Sequence, residues 1–277
     1  MDKIDTFFEG DDEAFSVMEK ATPWIIEFTR SSKIPKTGLS LFMLVNKMMT
    51  IKVAIYDLRD SEGVYAMSIL LRSLIEHYLR FNYMYMKAME TRDDSMGEKY
   101  QDTLYIKELH DLAKAYKKMS EAVGNVVQQT ATWEAVNDIN EKSKQTTARA
   151  VEDDVRDLTY GQIIKYIDER INKEKVPGLL LNMFPAYSEL SSFVHGGRLS
   201  DEVMMGFAMK GKIQERLDEI TETAYCIFTS SLLFMFLAFY QYDKRFAGPY
   251  LDIQDIITKT YSAPPDLPTE NAEKPNP

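Results

Sequence analysis

The sequence has 277 residues, 45% of them hydrophobic and 27% charged, a formal net charge of −10 and a single cysteine. That length suffices for a sizeable core, while the acidic balance excludes a broad electrostatic grip on nucleic acid, leaving room only for a local basic site. The lone Cys226 lies in an apolar run and excludes an intramolecular disulfide, as expected of a cytoplasmic chain. Twelve Gly and ten Pro are few punctuators, so the elements should be long, and long elements are helices. The acidic N-terminus has no basic stretch followed by an apolar one, so no secretory signal is expected.

Residues 11 to 30 predict a first helix, interrupted or bent at Pro23, with SSKIPKTG (31 to 38) as a connector. A second helix is expected from Leu39 to Leu58, with Lys52 joining its apolar side through the side-chain stem. Asp60 to Gly63 form a short turn, which makes this helix and the next antiparallel neighbours. The third helix runs from about Val64 to Glu90, and a charged fourth from after Ser95 to about Ala122. The polar, Gln/Asn/Thr-rich stretch 125 to 156 reads as a weak helix with a mobile, protruding connection. Thr159 marks the start of a helix to about Asn172, and Val176-Pro177-Gly178 a turn. A helix carrying Tyr187 to His195 is stopped by Gly196-Gly197.

Ser200-Asp201-Glu202 then opens the region leading into twenty uncharged residues, Thr223 to Tyr242. That run is long enough to span a bilayer. It also holds Thr229, Ser230, Ser231 and Gln241 and continues from the charged KIQERLDEITE, so it reads as a core helix, not a membrane one. A short last helix is expected over 250 to 261. The fold class is therefore all-α: a single bundle of about seven to nine helices over residues 1 to 262, with a Pro-rich, disordered tail over 263 to 277.

Two helices carry chemistry. On the third, at 100° per residue, Met67, Leu70, Leu71, Leu74, Ile75 and Tyr78 share one half, and Arg72, Glu76, Arg80 and His77 share the other. Arg72, Glu76 and Arg80 follow at i, i+4, i+8, so one carboxylate can pair with two guanidinium groups. Tyr65, Ile69, Tyr83 and Met84 also fall in this polar half, and a face that mixes charges with large apolar groups is suited to being covered. On the later helix Tyr187, Ser191 and His195 again fall at i, i+4, i+8, with His195 at the C-terminal end, where the macrodipole favours a cation. Ser191 has no strand-turn-helix elbow and no oxyanion hole, which argues against a nucleophile. His77, His110 and His195 have no metal-ligand spacing, and there is no P-loop or G-x-G-x-x-G, so neither metal nor nucleotide cofactor is indicated.

Arg72-Ser-Leu-Ile-Glu-His77, an Arg followed after four residues by His on a helix of an all-α chain, resembles the R-x4-6-H motif of the HEPN superfamily. Those helical domains are common in bacterial defence and toxin systems, and many are metal-independent ribonucleases acting as dimers. The resemblance implies an effector of bacterial or phage-related defence with RNA as partner and a homodimeric state. Arg72 would hold the scissile phosphate, and His77 would act as base or acid towards the ribose 2′-hydroxyl. On an ideal wheel these two lie about 140° apart, so joint action needs a wide site or a second subunit. More broadly, LLRSLIEHYLRFNYMY followed by YSELSSFVHGG resembles a bacterial helical family of unknown function that pairs an Arg-x3-Glu helix with a Tyr-x3-Ser-x3-His helix. That resemblance covers roughly residues 38 to 200 and sets Arg72 and Glu76 opposite Ser191 and His195. The candidate site is thus Arg72, His77 and His195 as catalytic groups, supported by Glu76, Arg80, Tyr187 and Ser191. The alternative is a non-enzymatic adaptor that docks a protein partner and in which the polar helix pair is structural.

Overall fold

A computed structural model describes residues 3–122, 132–171 and 178–262. Among the described residues every regular element is helical, so the chain is all-α. The helices are α1 (Lys3–Ser31), α2 (Pro35–Arg59), α3 (Val64–Thr91), α4 (95–122), α5 (Thr132–Ile139), α6 (Ala148–Asp154), α7 (Tyr160–Ile171), α8 (Gly178–His195), α9 (Arg198–Met209), α10 (Ile213–Tyr240) and α11 (Ala247–Ser262). These eleven exceed the expected seven to nine for local reasons. The polar stretch after 131 winds into two short helices; Thr147 caps the second by accepting from Ala150 N, and Asn140 caps a 3-10 turn between them, Glu141–Gln145, by accepting from Lys142 N and Ser143 N. Gly211, at φ 64°, breaks what read as one region into α9 and α10. The expected turn at 176–178 falls mostly outside the described residues, as does the tail from 263.

Two further boundaries differ from expectation. The first helix is continuous through Pro23, although an interior proline costs about 3 kcal/mol in isolation. Burial of Ala14, Met18, Ala21, Ile25 and Phe28 against α2, α10 and α11 outweighs it. The expected connector at 31 to 38 is mostly helix, because α2 starts at Pro35, where proline's fixed φ suits the first turn. The missing cap of that turn comes from far away: the Asp94 carboxylate accepts from Lys36 N (3.0 Å) and Thr37 N (2.7 Å).

The centre of the molecule is the trio α2, α3 and α10. The α2–α3 hairpin turns at Glu62, in the left-handed region at φ 53°, and Gly63 N donates to Leu58 O. Leu44, Val45 and Met48 of α2, Leu74, Ile75 and Phe81 of α3, and Leu217, Phe228, Leu232 and Met235 of α10 are fully buried in one continuous core. Pro35–Arg59 and Ile213–Tyr240 are both long and apolar enough to cross a membrane by length and composition; here the two pack on each other. α7 and α8 cover the remaining face of α3. The outer half of α4 leaves the main core and has a small one of its own, Ile106, Val136 and Val151 backed by Leu109, Ala113 and Trp133.

Candidate functional site at the seam between α3, α7 and α8

The helical period of α3 places Arg72, Glu76, Arg80, Tyr83, Lys87 and Glu90 in a single row, spaced four, four, three, four and three residues. Because α7 and α8 lie over that row, the ladder is covered: the Arg72, Glu76 and Arg80 side chains retain 20%, 31% and 25% of their exposure. Arg72 donates to Glu76 Oε2 at 2.5 Å and, through its other terminal nitrogen, to the Tyr187 hydroxyl. Arg80 lies 3.9 Å from the other oxygen of Glu76. The Arg72 guanidinium also sits over the Tyr187 ring, 4.5 Å from its centroid, and Tyr187 stacks on Tyr160 at 3.6 Å. A cation, a phenol ring and a second phenol ring are therefore layered, which stiffens the junction of three helices.

Further along the row, Tyr83 donates to Asp157 (2.9 Å), and Tyr166 donates to Glu90 (2.6 Å), which also pairs with Arg170. Lys99 reaches the same Asp157 oxygen at 2.9 Å, at the edge of an open cleft of about 500 Å³ between Lys99, Asp153, Asp154, Arg156, Asp157 and Gln162. The end of the row at Arg72, Glu76 and Arg80 is thus cationic, while the cleft beside Tyr83 sets three aspartates against Lys99 and Arg156.

Among the described residues three polar atoms in the cationic end are buried without a hydrogen-bond partner: Arg72 Nε, Arg80 Nε and the Tyr160 hydroxyl. Such atoms are costly to leave unpaired. All three can donate. Burial pushes both phenols, Tyr160 and Tyr187, above their ordinary range, with Arg72 opposing, so both stay protonated donors near neutral pH.

The remaining candidate residues are distributed around this cluster. Ser191 donates to the carbonyl of Tyr187 on its own helix (2.8 Å). His195 is exposed at the last position of α8, two turns or about 12 Å along the axis from Tyr187. Tyr65 fixes that end of α8 by donating to Phe193 O at 2.7 Å. His77 faces the α2 side near Lys47 and donates from Nδ1 to Ser73 O at 2.8 Å. The structure therefore joins Arg72, Glu76, Arg80 and Tyr187 directly and sets Ser191, His195 and His77 apart from them. Tyr160 was not readable as a site residue; its only signal in the sequence is its place directly after the helix start at Thr159. Among the described residues no three His, Cys, Asp or Glu side chains converge as metal ligands do.

Burial holds the His77 imidazole below its ordinary value, with the Ser73 carbonyl opposing. As pH falls the unfolded chain takes up this proton first, so the stability tied to neutral His77 is complete above about pH 6.5 and is lost below it. Denaturation titrations from about pH 7 to pH 5 should therefore show a shallower loss for His77→Gln than for the parent chain. Equal slopes would assign the loss to other groups.

No protein-family model, no curated protein and no solved structure matches the chain.

Proposed function

We propose that the protein is a HEPN-like effector of a bacterial or phage-related defence system that engages RNA through the cationic end of the α3 seam. The observation that carries this reading is the charge of the cluster: two guanidinium groups share one carboxylate, and the Arg72 and Arg80 side chains keep 20% and 25% of their exposure. A phosphodiester supplies a single negative charge and two free oxygens, which would balance the excess positive charge, and guanidinium groups grip phosphate in a forked geometry. In this reading Arg72 and Arg80 hold the phosphate and Glu76 fixes their orientation. Cleavage would proceed without metal. His195, exposed about 12 Å along α8 from Tyr187, is too far to serve the phosphate held by Arg72 and Arg80. It takes the proton of a ribose 2′-hydroxyl farther along the same strand, that oxygen attacks its adjacent phosphorus, and the departing 5′-oxygen takes a proton from water, leaving a 2′,3′-cyclic phosphate and a 5′-hydroxyl.

The test is binding and cleavage of tRNA or total RNA in the presence of a chelator. Arg72→Lys and Arg80→Ala should each weaken binding about tenfold or more, the loss of a charge-assisted contact, and His195→Ala should abolish cleavage while leaving binding intact. Failure of the parent chain to bind RNA, or unchanged binding in both arginine variants, would remove the reading.

One observation favours a second reading, a non-enzymatic adaptor. The terminal nitrogens of Arg72 already bind Glu76 and Tyr187 and tie α3 to α8. That reading expects Arg72→Ala to lose folding stability with no change in RNA affinity.

A further inference from the structure

The groove between α3 and α8 continues past the cationic end, and beyond Arg72 its chemistry changes. The two helices run antiparallel, since Arg72 bonds to Tyr187 and Tyr65 bonds to Phe193. On the side of α3 that meets α8, Tyr65, Ile69, Arg72, Glu76 and Arg80 follow at intervals of four, three, four and four residues. Tyr65 therefore stands about 10 Å from Arg72 along the α3 axis, and His195 about 3 Å beyond Phe193 along α8.

A strand held at Arg72 and cut beside His195 has to cross this interval, and no cation helps it. Residues 64 to 71 of α3 and 188 to 194 of α8 include no Lys or Arg. Their one charged group, Glu189, pairs with Arg216 at 2.9 Å. The hydroxyls of Ser191 and Ser192 donate to Tyr187 O and Gly197 O within their own segment. Ionic contacts to phosphate thus end at Arg72, and whatever holds the strand beyond it acts on the nucleotides themselves.

Tyr65 is the side chain of this interval suited to that task. It is 41% exposed, whereas Phe193 beneath it is 1% exposed. The two rings lie 5.4 Å apart between centroids, and the Tyr65 hydroxyl donates to Phe193 O at 2.7 Å. Held at both points, the ring is a fixed apolar surface, and a partner that packs on it orders little that is not already ordered. A single exposed apolar residue needs no explanation by itself. What distinguishes Tyr65 is its place, between the guanidinium of Arg72 and the imidazole of His195 in a stretch without cations.

We infer that Tyr65 is the base platform of this groove: a nucleobase stacks on its ring and brings the adjoining ribose to His195. An aromatic ring accepts the face of any base, so Tyr65 fixes position along the strand and not sequence. The inference rests on the RNA reading of the cationic end and adds a substrate-binding residue to it.

The experiment uses the full chain as His195→Ala, which binds RNA without cutting it, and short single-stranded RNAs in which adenines are replaced by a fluorescent purine analogue that stacking quenches. Quenching on binding is expected in this parent. It should persist in Tyr65→Phe, which keeps the ring, and disappear in Tyr65→Leu, which keeps apolar bulk against Phe193. Tyr65→Leu should weaken binding about tenfold and Tyr65→Phe less than about threefold. The parent should also prefer RNA to a strand of the same length without bases by about tenfold, and Tyr65→Leu should lose that preference, a coupling that a merely structural contact would not produce. Binding that depends on Arg72 but leaves the bases unquenched, or quenched equally in Tyr65→Leu, would overturn this inference alone. Equal losses in Tyr65→Phe and Tyr65→Leu would overturn it as well, by assigning Tyr65 to holding the end of α8. A parent that binds no RNA would remove it together with the RNA reading.

Discussion

Replacing Asp11 with alanine is expected to cost about 3–5 kcal/mol of folding stability, the penalty of stranding a buried charge. Its partner Lys52 is only 1% exposed, and the two side chains form an ion pair between α1 and α2. Around the ammonium are the rings of Phe228 at 4.0 Å and Tyr56 at 5.3 Å, which attract a cation but cannot replace a carboxylate. Burial works against the charged form of both members. It raises the Asp11 carboxyl and lowers the Lys52 ammonium, and each partner's charge opposes the shift. The balance is therefore held by the pair and not by either residue. Asp11→Leu combined with Lys52→Met should recover most of the loss, because two apolar groups of similar size leave nothing unpaired. Urea unfolding of the single and double variants is the measurement. Additive losses would show that the pair does not act as a unit.

The second large effect is expected at Gly97, where α4 crosses the start of α2. A methyl group there would lie 2.0 Å from Thr37 N, 2.4 Å from Lys36 C and 2.6 Å from Thr37 Cα. All three are backbone atoms, so no side chain can rotate aside and the helices must part. Separation would also break the bond from Gly97 N to Thr37 Oγ1 (3.0 Å) and the Asp94 cap on Lys36 N and Thr37 N. Overpacking alone costs about 1–3 kcal/mol and a lost cap about 1 kcal/mol. Gly97→Ala should therefore lose about 3 kcal/mol or more. The control is Gly206→Ala in α9, where an added methyl meets nothing within 4 Å and helix propensity favours alanine. Thermal denaturation should separate the two variants clearly; equal midpoints would contradict the close approach.

These two sites mark the division between what local pattern reveals and what it does not. The inward half of α3 follows from a period of 3.6 residues, and the covering of the Arg72–Glu76–Arg80 ladder was foreshadowed by Tyr83 and Met84 on the same side. Lys52 sat visibly among apolar positions, yet only the fold shows that its ammonium is inside, because its counter-ion comes from another helix 41 residues away. The Asp94 cap is equally distant, at 57 and 58 residues. Tyr187 was legible through its spacing to Ser191 and His195, whereas Tyr160 stacks on it from a different helix across a separation that no periodicity encodes. The short helices after residue 131 depend on the small core under α4, on the cap at Thr147 and on the Asn140-capped turn between them, so a composition rich in Gln, Asn and Thr hid them.

The wide π turn at Lys99–Thr103 connects the two halves of α4. It accommodates one residue more than an α-helical turn, and that residue advances the angular phase of everything beyond it by about 100°. The turn thus works as a gear: Met96 and Gly97 before it are set against α2, while Ile106 and His110 after it are set inward beneath the outer helices. Excising a single residue there would restore an ordinary helix and swing α5, α6 and the exposed Leu112 and Tyr116 about a quarter turn around the axis. A one-codon change would redraw the outline that the molecule offers its neighbours, at the cost of the bonds from Gln101 to Lys36 O (3.1 Å) and Ser40 Oγ (3.0 Å) that tie the turn to α2.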